Sequence, residues 1–349
     1  MNSKTQQELK NQLIKELLVM NERLYNFYVG NVKKNPKEDF TNTPEFRIVS
    51  MTDFIRECFE CDMIISEIIS MMHNSYSWEN KPSVIKKEID AIKIKINKAP
   101  SLTVILIGDF APSQIYVRNK EKNSKEVGIK SEIIKYPKDV SEEKVLNKIE
   151  ELNINKEVSG ILVQLPLPEQ INKEKIINSI HPSKDVDGFN PINVGNLSSG
   201  YNAIVPCTPL GCLLLIKKID KDLSGKHAVI IGRSNLNGKP MAQLLLKENC
   251  TVTIVHSKTK NLKEECAKAD ILVAAVGVAN LVKGDWVKKD SIVIDVGINK
   301  VEGKIVGDVN FDEVKDKVKA ITPVPGGVGP MTIACLLKNT LECFKELNS

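Results

Sequence analysis

Hydrophobic positions along this chain change rhythm near residue 80. In "SVIKKEIDAIKIKI", Ile85, Ile89, Ile92 and Ile96 recur at helical spacing. "LTVILIG" follows as a continuous apolar run, the pattern of a short strand buried on both faces. The segment opening with "SQIYVRNKEK" predicts a helix from Ser113 that stops at Gly128, a residue suited to a left-handed C-cap. "KSEIIKYP" reads as the next strand. "SEEKVLNKIEELN" reads as a helix whose Ser141 and first-turn acids suit its positive end. "GILVQLPLP" is a further buried strand that runs into prolines. After a loop rich in Asp, Gly and Asn, "HAVIIG", "CTVTIVH", "DILVAAVG" and "SIVIDVG" supply four more apolar strands between helical stretches. Repeated strand–helix units predict an α/β fold with parallel sheets covered by helices. The reading is two α/β domains flanking a cleft, joined near residues 200–210.

The first 80 residues differ. Helix-like "QELKNQLIKELLVMNERLYNF" and a second helical stretch from about 52 to 73 flank a turn-rich segment. They carry 12 acidic and 9 basic side chains, whereas the whole chain is +5. A transit peptide is rich in arginine and poor in acids, and a secretory signal needs an early apolar core. Neither pattern is present, so a small helical extension is predicted. A chain of 349 residues has room for two cores. Its basic residues are scattered and form no dense stripe, which argues against nucleic acid. No stretch reaches the roughly 18 apolar residues a membrane span requires. Eight cysteines, mostly inside apolar segments, predict reduced, buried thiols and a cytoplasmic protein. Cys58 and Cys61 form a C-x-x-C, but no second pair or histidine pair completes a zinc site, and no metal is expected.

Chemistry enters at Tyr116 and Lys120. Four residues apart, they share one helix face just beyond the carboxyl end of a strand, where open α/β sheets bind ligands. Taken locally, the pair reads more readily as a solvated lysine lying on a tyrosine. Gln164 ends a strand at the same sheet edge, and an amide in so apolar a run must be hydrogen-bonded. Its plain role is a network stabilising the loop "HPSKDVDGFNP". In that loop Asp185 and Asp187 match a calcium loop at two positions only. A carboxylate beside a cleft can instead bind an amino-substituted heterocycle through paired hydrogen bonds.

In "IGRSNLNGKP", Gly232 and Gly238 bracket a strand-to-helix turn, with Ser234 where G-x-G-x-x-G has its middle glycine. The motif is weak alone and gains from the four strand–helix units around it, since a helix N-terminus there faces an anion. After the following strand come His256, Ser257, Lys258 and Lys260 without a carboxylate, and Arg233 lies in the first turn. Cations and donors at that place favour NADP over NAD, the alternative being a basic turn facing solvent. In "ITPVPGGVGPMT", the glycines at 326, 327 and 329 let backbone approach a flat ligand, or simply make a tight turn.

Together "SQIYVRNKEK", "GILVQLPLP", "HPSKDVDGF", "PCTPLG", "IGRSNLNGKP", "VIDVGIN", "GDV" and "ITPVPGGVGPMT" resemble the bifunctional methylenetetrahydrofolate dehydrogenase/methenyltetrahydrofolate cyclohydrolases. Order and spacing agree from Pro82 to the C-terminus. The resemblance implies NADP-linked oxidation of 5,10-methylenetetrahydrofolate to the methenyl form, then hydrolysis to 10-formyltetrahydrofolate in the same cleft. It makes Tyr116 a stacking platform for the folate, Lys120 the acid/base group of hydrolysis, and Gln164 the residue that tunes it. Asp187 would hold the pterin end, with Val163 and Leu165 beside Gln164 in the substrate site. Pro325, Gly326, Gly327, Val328 and Gly329 would line it. Gly232, Arg233, Ser234, Ser257 and Ile298 would contact NADP.

The resemblance also implies a homodimer through the cofactor domains and a C-terminal helix that returns to the first domain. The expected division is a helical extension (1–80), a folate-binding catalytic domain (81–205, completed by 322–349) and a Rossmann-like NADP domain (206–321). An ordinary lysine, with a pKa of about 10.4, is too basic for proton transfer at neutral pH. Partial burial, an aromatic neighbour and a cationic substrate would favour its neutral form. The chain departs from the family in its first 80 residues, and in lacking the short glycine-containing stretch that usually precedes the first helix. Two rivals stand beside this reading: a dehydrogenase without cyclohydrolase activity, and a non-catalytic folate-binding scaffold. The intact set Tyr116, Lys120, Gln164 and Asp187 argues against the scaffold.

Overall fold

The strand–helix alternation builds two parallel sheets. The computed structural model describes residues 85–92, 94 and 98–348. The N-terminal extension with Cys58 and Cys61, Ile96, and the side chain of Tyr116 lie outside the described residues.

Strands β1 (Ser101–Ile107), β2 (Lys130–Tyr136) and β3 (Gly160–Val163) form the first sheet in the order β2-β1-β3. All pairs are parallel, with Leu102 opposite both Ser131 and Gly160. Alternation along β1 serves two cores. Leu102, Val104 and Leu106 pack with Ile89 of the helical residues 85–92, whereas Ile105 and Ile107 pack with Val145 and Ile149. Burial on both faces explains why β1 has no polar side of its own. Each such aliphatic side chain stabilises the fold by about 1.5–3 kcal/mol.

Helix α1 (Ala111–Val127) starts two residues before the expected Ser113, with proline in its first turn, where the missing N–H goes unneeded. It ends at Gly128, whose φ of 87° is the left-handed cap its sequence predicts. Helix α2 (Glu142–Ile154) is capped by Ser141, which accepts the Lys144 N–H. Helices α3 (Lys173–Ser179), α4 (Pro191–Ser199) and α5 (Cys207–Ile219) lead to the second sheet.

There, strands β4 (His227–Ile231), β5 (Thr251–Val255), β6 (Ile271–Ala274) and β7 (Ile292–Asp295) are the four the sequence predicts. Between them run α6 (Gly238–Lys247) and the short α7 (Leu262–Cys266). A hairpin of β8 (Asn299–Val301) and β9 (Lys304–Val306), one turn of helix α8 (Phe311–Val314) and the two-residue strand β10 (Ala320–Ile321) follow. The sheet order is β10-β7-β6-β4-β5, every pair parallel. Ala228, Ile230, Val273 and Ile294 face one core, and Val229, Ile231, Leu272 and Val293 the other.

Helix α9 (Val328–Leu347) ties the sheets together. Its first residue, Val328, is buried in the second-sheet core, while Leu336, Leu337, Leu341 and Cys343 pack with Leu102 and Val104 of the first. Helix α5 does the same in reverse, with Cys207 in the first core and Leu213 and Ile216 in the second. Among the described residues the six cysteines are buried, and no helix is long and apolar enough to cross a membrane.

Candidate active site

Gln164 is the first residue beyond β3, yet its N–H still donates to Ile105 O at 2.9 Å. Its backbone is therefore fixed by the sheet while its side chain is free to project. The amide donates through Nε2 to Leu165 O at 2.8 Å, which turns Oε1 outward. Oε1 accepts a 2.9 Å hydrogen bond from Lys120 Nζ, 44 residues earlier on α1. Every polar atom of this partly buried pair gains a partner from the other or from backbone. The network proposed for Gln164 from sequence thus runs to Lys120 and to its own strand end, and not to the loop "HPSKDVDGFNP". Tyr116 lies on α1 one turn before Lys120.

That loop is secured by its other residues. The buried Lys184 amine donates to Leu152 O at 2.9 Å and Asn155 O at 2.7 Å, the carbonyl end of α2, where a cation is favoured. Burial lowers its pKa. Asp185 is buried and accepts Gly188 N–H at 3.1 Å, Asn190 N–H at 2.7 Å and Asn193 Nδ2 at 3.1 Å. Burial pushes its carboxyl up to about 6, against the pull of those donors. Asp185 is thus a loop fastener, which accounts for the calcium-like spacing without a cation. Asp187 takes no part in these bonds. Burial raises its pKa and the Lys120 charge opposes the rise, so the two groups share one electrostatic environment. Val163, Leu165 and Asp187 line a single pocket together with Phe189.

At the carboxyl edge of the second sheet, Gly232 has φ 116°, and a Cβ there would lie 2.5 Å from Ala275 O. A Cβ on Gly238 would lie 2.1 Å from Gly232 O. Only glycines let the turn fold this tightly. Ser234 Oγ accepts the Asn237 N–H at 3.1 Å just before α6. Ile231 pairs with Val255 in register, so Arg233 and Ser257, each two residues further on, leave adjacent strands side by side. Both are exposed, as are Ser234, Lys258 and Lys260. Ile298 is 53% exposed despite its apolar side chain.

Two carboxylates at this edge escaped the sequence reading. Asp308 is fully buried and accepts Val276, Gly277 and Val278 N–H groups at 2.7–3.0 Å, plus Asn299 Nδ2 at 2.9 Å. Asp295 accepts the N–H groups of Gly297, Asp308 and Val309 at 2.9–3.0 Å, and burial pushes its carboxyl up to about 6. They lie in "VIDVGIN" and "GDV", stretches that the sequence reading quoted without giving either acid a role. The two acids hold the loops after β6 and β7 in place.

The P-G-G-V-G loop joins β10 to α9. Pro325 and Gly326 are exposed, the latter with φ 104°. Gly327 is so tightly placed that a Cβ would lie 2.5 Å from Pro323 O. The buried Val328 side chain anchors the loop, leaving its backbone as the surface it presents, with Gly329 next to it.

Two family models match this chain: "Tetrahydrofolate dehydrogenase/cyclohydrolase, catalytic domain" over residues 78–187, and the NAD(P)-binding domain of the same family over residues 206–348. The Bifunctional protein FolD of Pelagibacter ubique is 71% identical over 262 residues, spanning 75% of this chain and 93% of that protein. The crystal structure of the bifunctional FolD methylenetetrahydrofolate dehydrogenase/cyclohydrolase from Campylobacter jejuni superimposes with a TM-score of 0.76 at 48% identity, covering 78% of this chain and 96% of that one. The Trypanosoma brucei dehydrogenase-cyclohydrolase, solved with NADP cofactor and an inhibitor, gives a TM-score of 0.74 at 37% identity, covering 78% and 95%. This chain belongs to the tetrahydrofolate dehydrogenase/cyclohydrolase family.

Proposed function

We infer that this chain oxidises 5,10-methylenetetrahydrofolate with NADP and hydrolyses the resulting methenyl cation to 10-formyltetrahydrofolate in one-carbon metabolism. The observation that carries the reading is the Lys120–Gln164 hydrogen bond with Asp187 in the same electrostatic environment. Asp187 accepts hydrogen bonds from the pterin end, Tyr116 stacks on the folate, and Leu165 and Val163 bound the pocket. In hydrolysis, water oxygen bonds to the methenyl carbon and its proton passes to the Lys120 amine. In the resulting adduct the bond from that carbon to N5 breaks as Lys120 returns the proton to N5 and the adduct's hydroxyl proton leaves to solvent, so the formyl group stays on N10 and one proton is released overall. Gln164 Oε1 accepts a hydrogen bond from Lys120 Nζ, so the lone pair of the neutral amine is directed away from Gln164.

The second sheet fits a dinucleotide phosphate. Gly232 and Gly238 close the strand-to-helix turn on itself, and Arg233, Ser234 and Ser257 lie exposed at that turn and the next strand end, offering donors and no carboxylate. When bound, NADP supplies the hydride acceptor. The P-G-G-V-G loop gives backbone surface to the folate, and Ile298 gives an apolar one to the cofactor.

We assign residues 81–205 with 322–349 to the folate domain and 206–321 to the cofactor domain. The protein is a cytoplasmic homodimer in this reading. Strand β5 lies at the open edge of its sheet with Ile254 exposed, a place where a second copy can pair.

Purified protein given methylenetetrahydrofolate and NADP tests the reading. NADPH absorbance should rise, and added methenyltetrahydrofolate should lose its absorbance faster than in buffer. A dehydrogenase alone gives the first signal without the second; a scaffold gives neither.

A further inference from the structure

Among the described residues Asp187 accepts no hydrogen bond, so its position depends on the backbone at either side. On one side is Val186, whose carbonyl accepts a 2.9 Å hydrogen bond from Asn339 Nδ2, 153 residues away on α9. The second proton of the same amide goes to Val205 O at 2.8 Å, in the segment that leads into α5. Cys207 Sγ adds a 3.3 Å contact to Val186 O. On the other side, Gly188 is packed so closely that a Cβ would lie 2.5 Å from Ile204 O and 2.8 Å from Pro206 N. The Asp187 turn and the 204–206 segment are thus laid against each other, and the Asn339 amide bridges both.

Asn339 is 4% exposed, and its Nδ2 reaches the Val186 and Val205 carbonyls, with Cys207 Sγ at 3.5 Å. A buried amide is a demanding way to fill a core, since each unmet partner is costly. Its neighbour Thr340 is also buried but bonds only within its own helix, to Leu336 O at 2.8 Å. The helix that carries Asn339 begins at the P-G-G-V-G loop and is held against α5 by Thr332 Oγ1 with Thr208 Oγ1 at 3.0 Å.

We propose that Asn339 is a positioning residue for folate binding: it sets Asp187 in register with Lys120 and Gln164 by tying the Val186 and Val205 carbonyls to α9. This rests on the reading of Asp187 as the folate carboxylate, so that residue serves as the reference. In the full chain, Asp187→Asn, Asn339→Leu, Asn339→Ser and Thr340→Val are compared for melting temperature, NADP KM and folate KM in both assays. Asn339→Leu and Asn339→Ser should raise folate KM about tenfold or more, the factor a lost buried hydrogen bond is worth. NADP KM should stay put. Thr340→Val should lower the melting temperature and leave folate KM alone, because its bond holds only the helix.

A soluble Asn339→Ser with wild-type folate KM overturns the proposal, as does an equal KM shift in Thr340→Val. Should Asn339→Leu not fold, Asn339→Ser decides. If Asp187→Asn itself leaves folate KM unchanged, the reading of Asp187 fails and the proposal falls with it. If Asp187→Asn raises KM and the Asn339 variants do not, only the positioning role is lost.

Discussion

Lys120 and Gln164 show how little of an active site a spacing rule contains. The i, i+4 relation placed Tyr116 and Lys120 on one face, and the apolar run placed Gln164 at the same sheet edge. Which way the amide points depends on Leu165 O and on the sheet bond to Ile105 O, neither of which local sequence encodes. Asp308 and Asp295 were illegible for a related reason. Their donors are backbone N–H groups up to 32 residues away, and an acid that ends a strand or follows a glycine gives no local sign of such partners. Arg233 was singled out from the sequence on charge alone, and the structure leaves it exposed beside Ser257. On the proposed contact with the 2′-phosphate, Arg233→Ala removes a charge-assisted partner and should raise the KM for NADP far more than that for NAD. Steady-state rates with each cofactor check this; equal losses would place Arg233 away from that phosphate.

At the scale of elements, the alternation of strands with helices was the clearest signal, and all seven expected strands formed in parallel sheets. The hairpin β8–β9 and strand β10 were missed. The first is charged on alternate residues in "NKVEGKIV", and the second is only two residues long, held by its pairing with Ile292 and Val293. Asp308 is what keeps the β6 loop and the hairpin together, since it accepts both the 276–278 amides and the Asn299 side chain. Asp308→Ala would leave buried N–H groups unmet, at about 1–3 kcal/mol for each. A lower melting temperature is expected, with weakened NADP binding by titration and folate binding largely kept. A variant that melts like the parent and binds NADP normally would show that other contacts hold these loops.

For the molecule as a whole, the family models cover residues 78–187 and 206–348, leaving the first 77 residues outside them. That extension carries no phosphate turn or acid/base pattern. A chain starting at Asn80 should therefore retain both activities; a folded, soluble truncation lacking either would assign chemistry to the extension. The central claim is that one cleft carries out two reactions and that only the second moves a proton through Lys120. The most direct measurement follows NADPH and methenyltetrahydrofolate together during turnover by the parent and by Lys120→Met. The variant keeps the apolar stem and loses the amine, so hydrolysis should fall by the ~10²–10⁴-fold typical of lost acid/base catalysis. Oxidation should fall less, and the methenyl intermediate should accumulate in the variant only. Lys120→Met that binds folate and hydrolyses the methenyl form at near-parent rates would contradict the account.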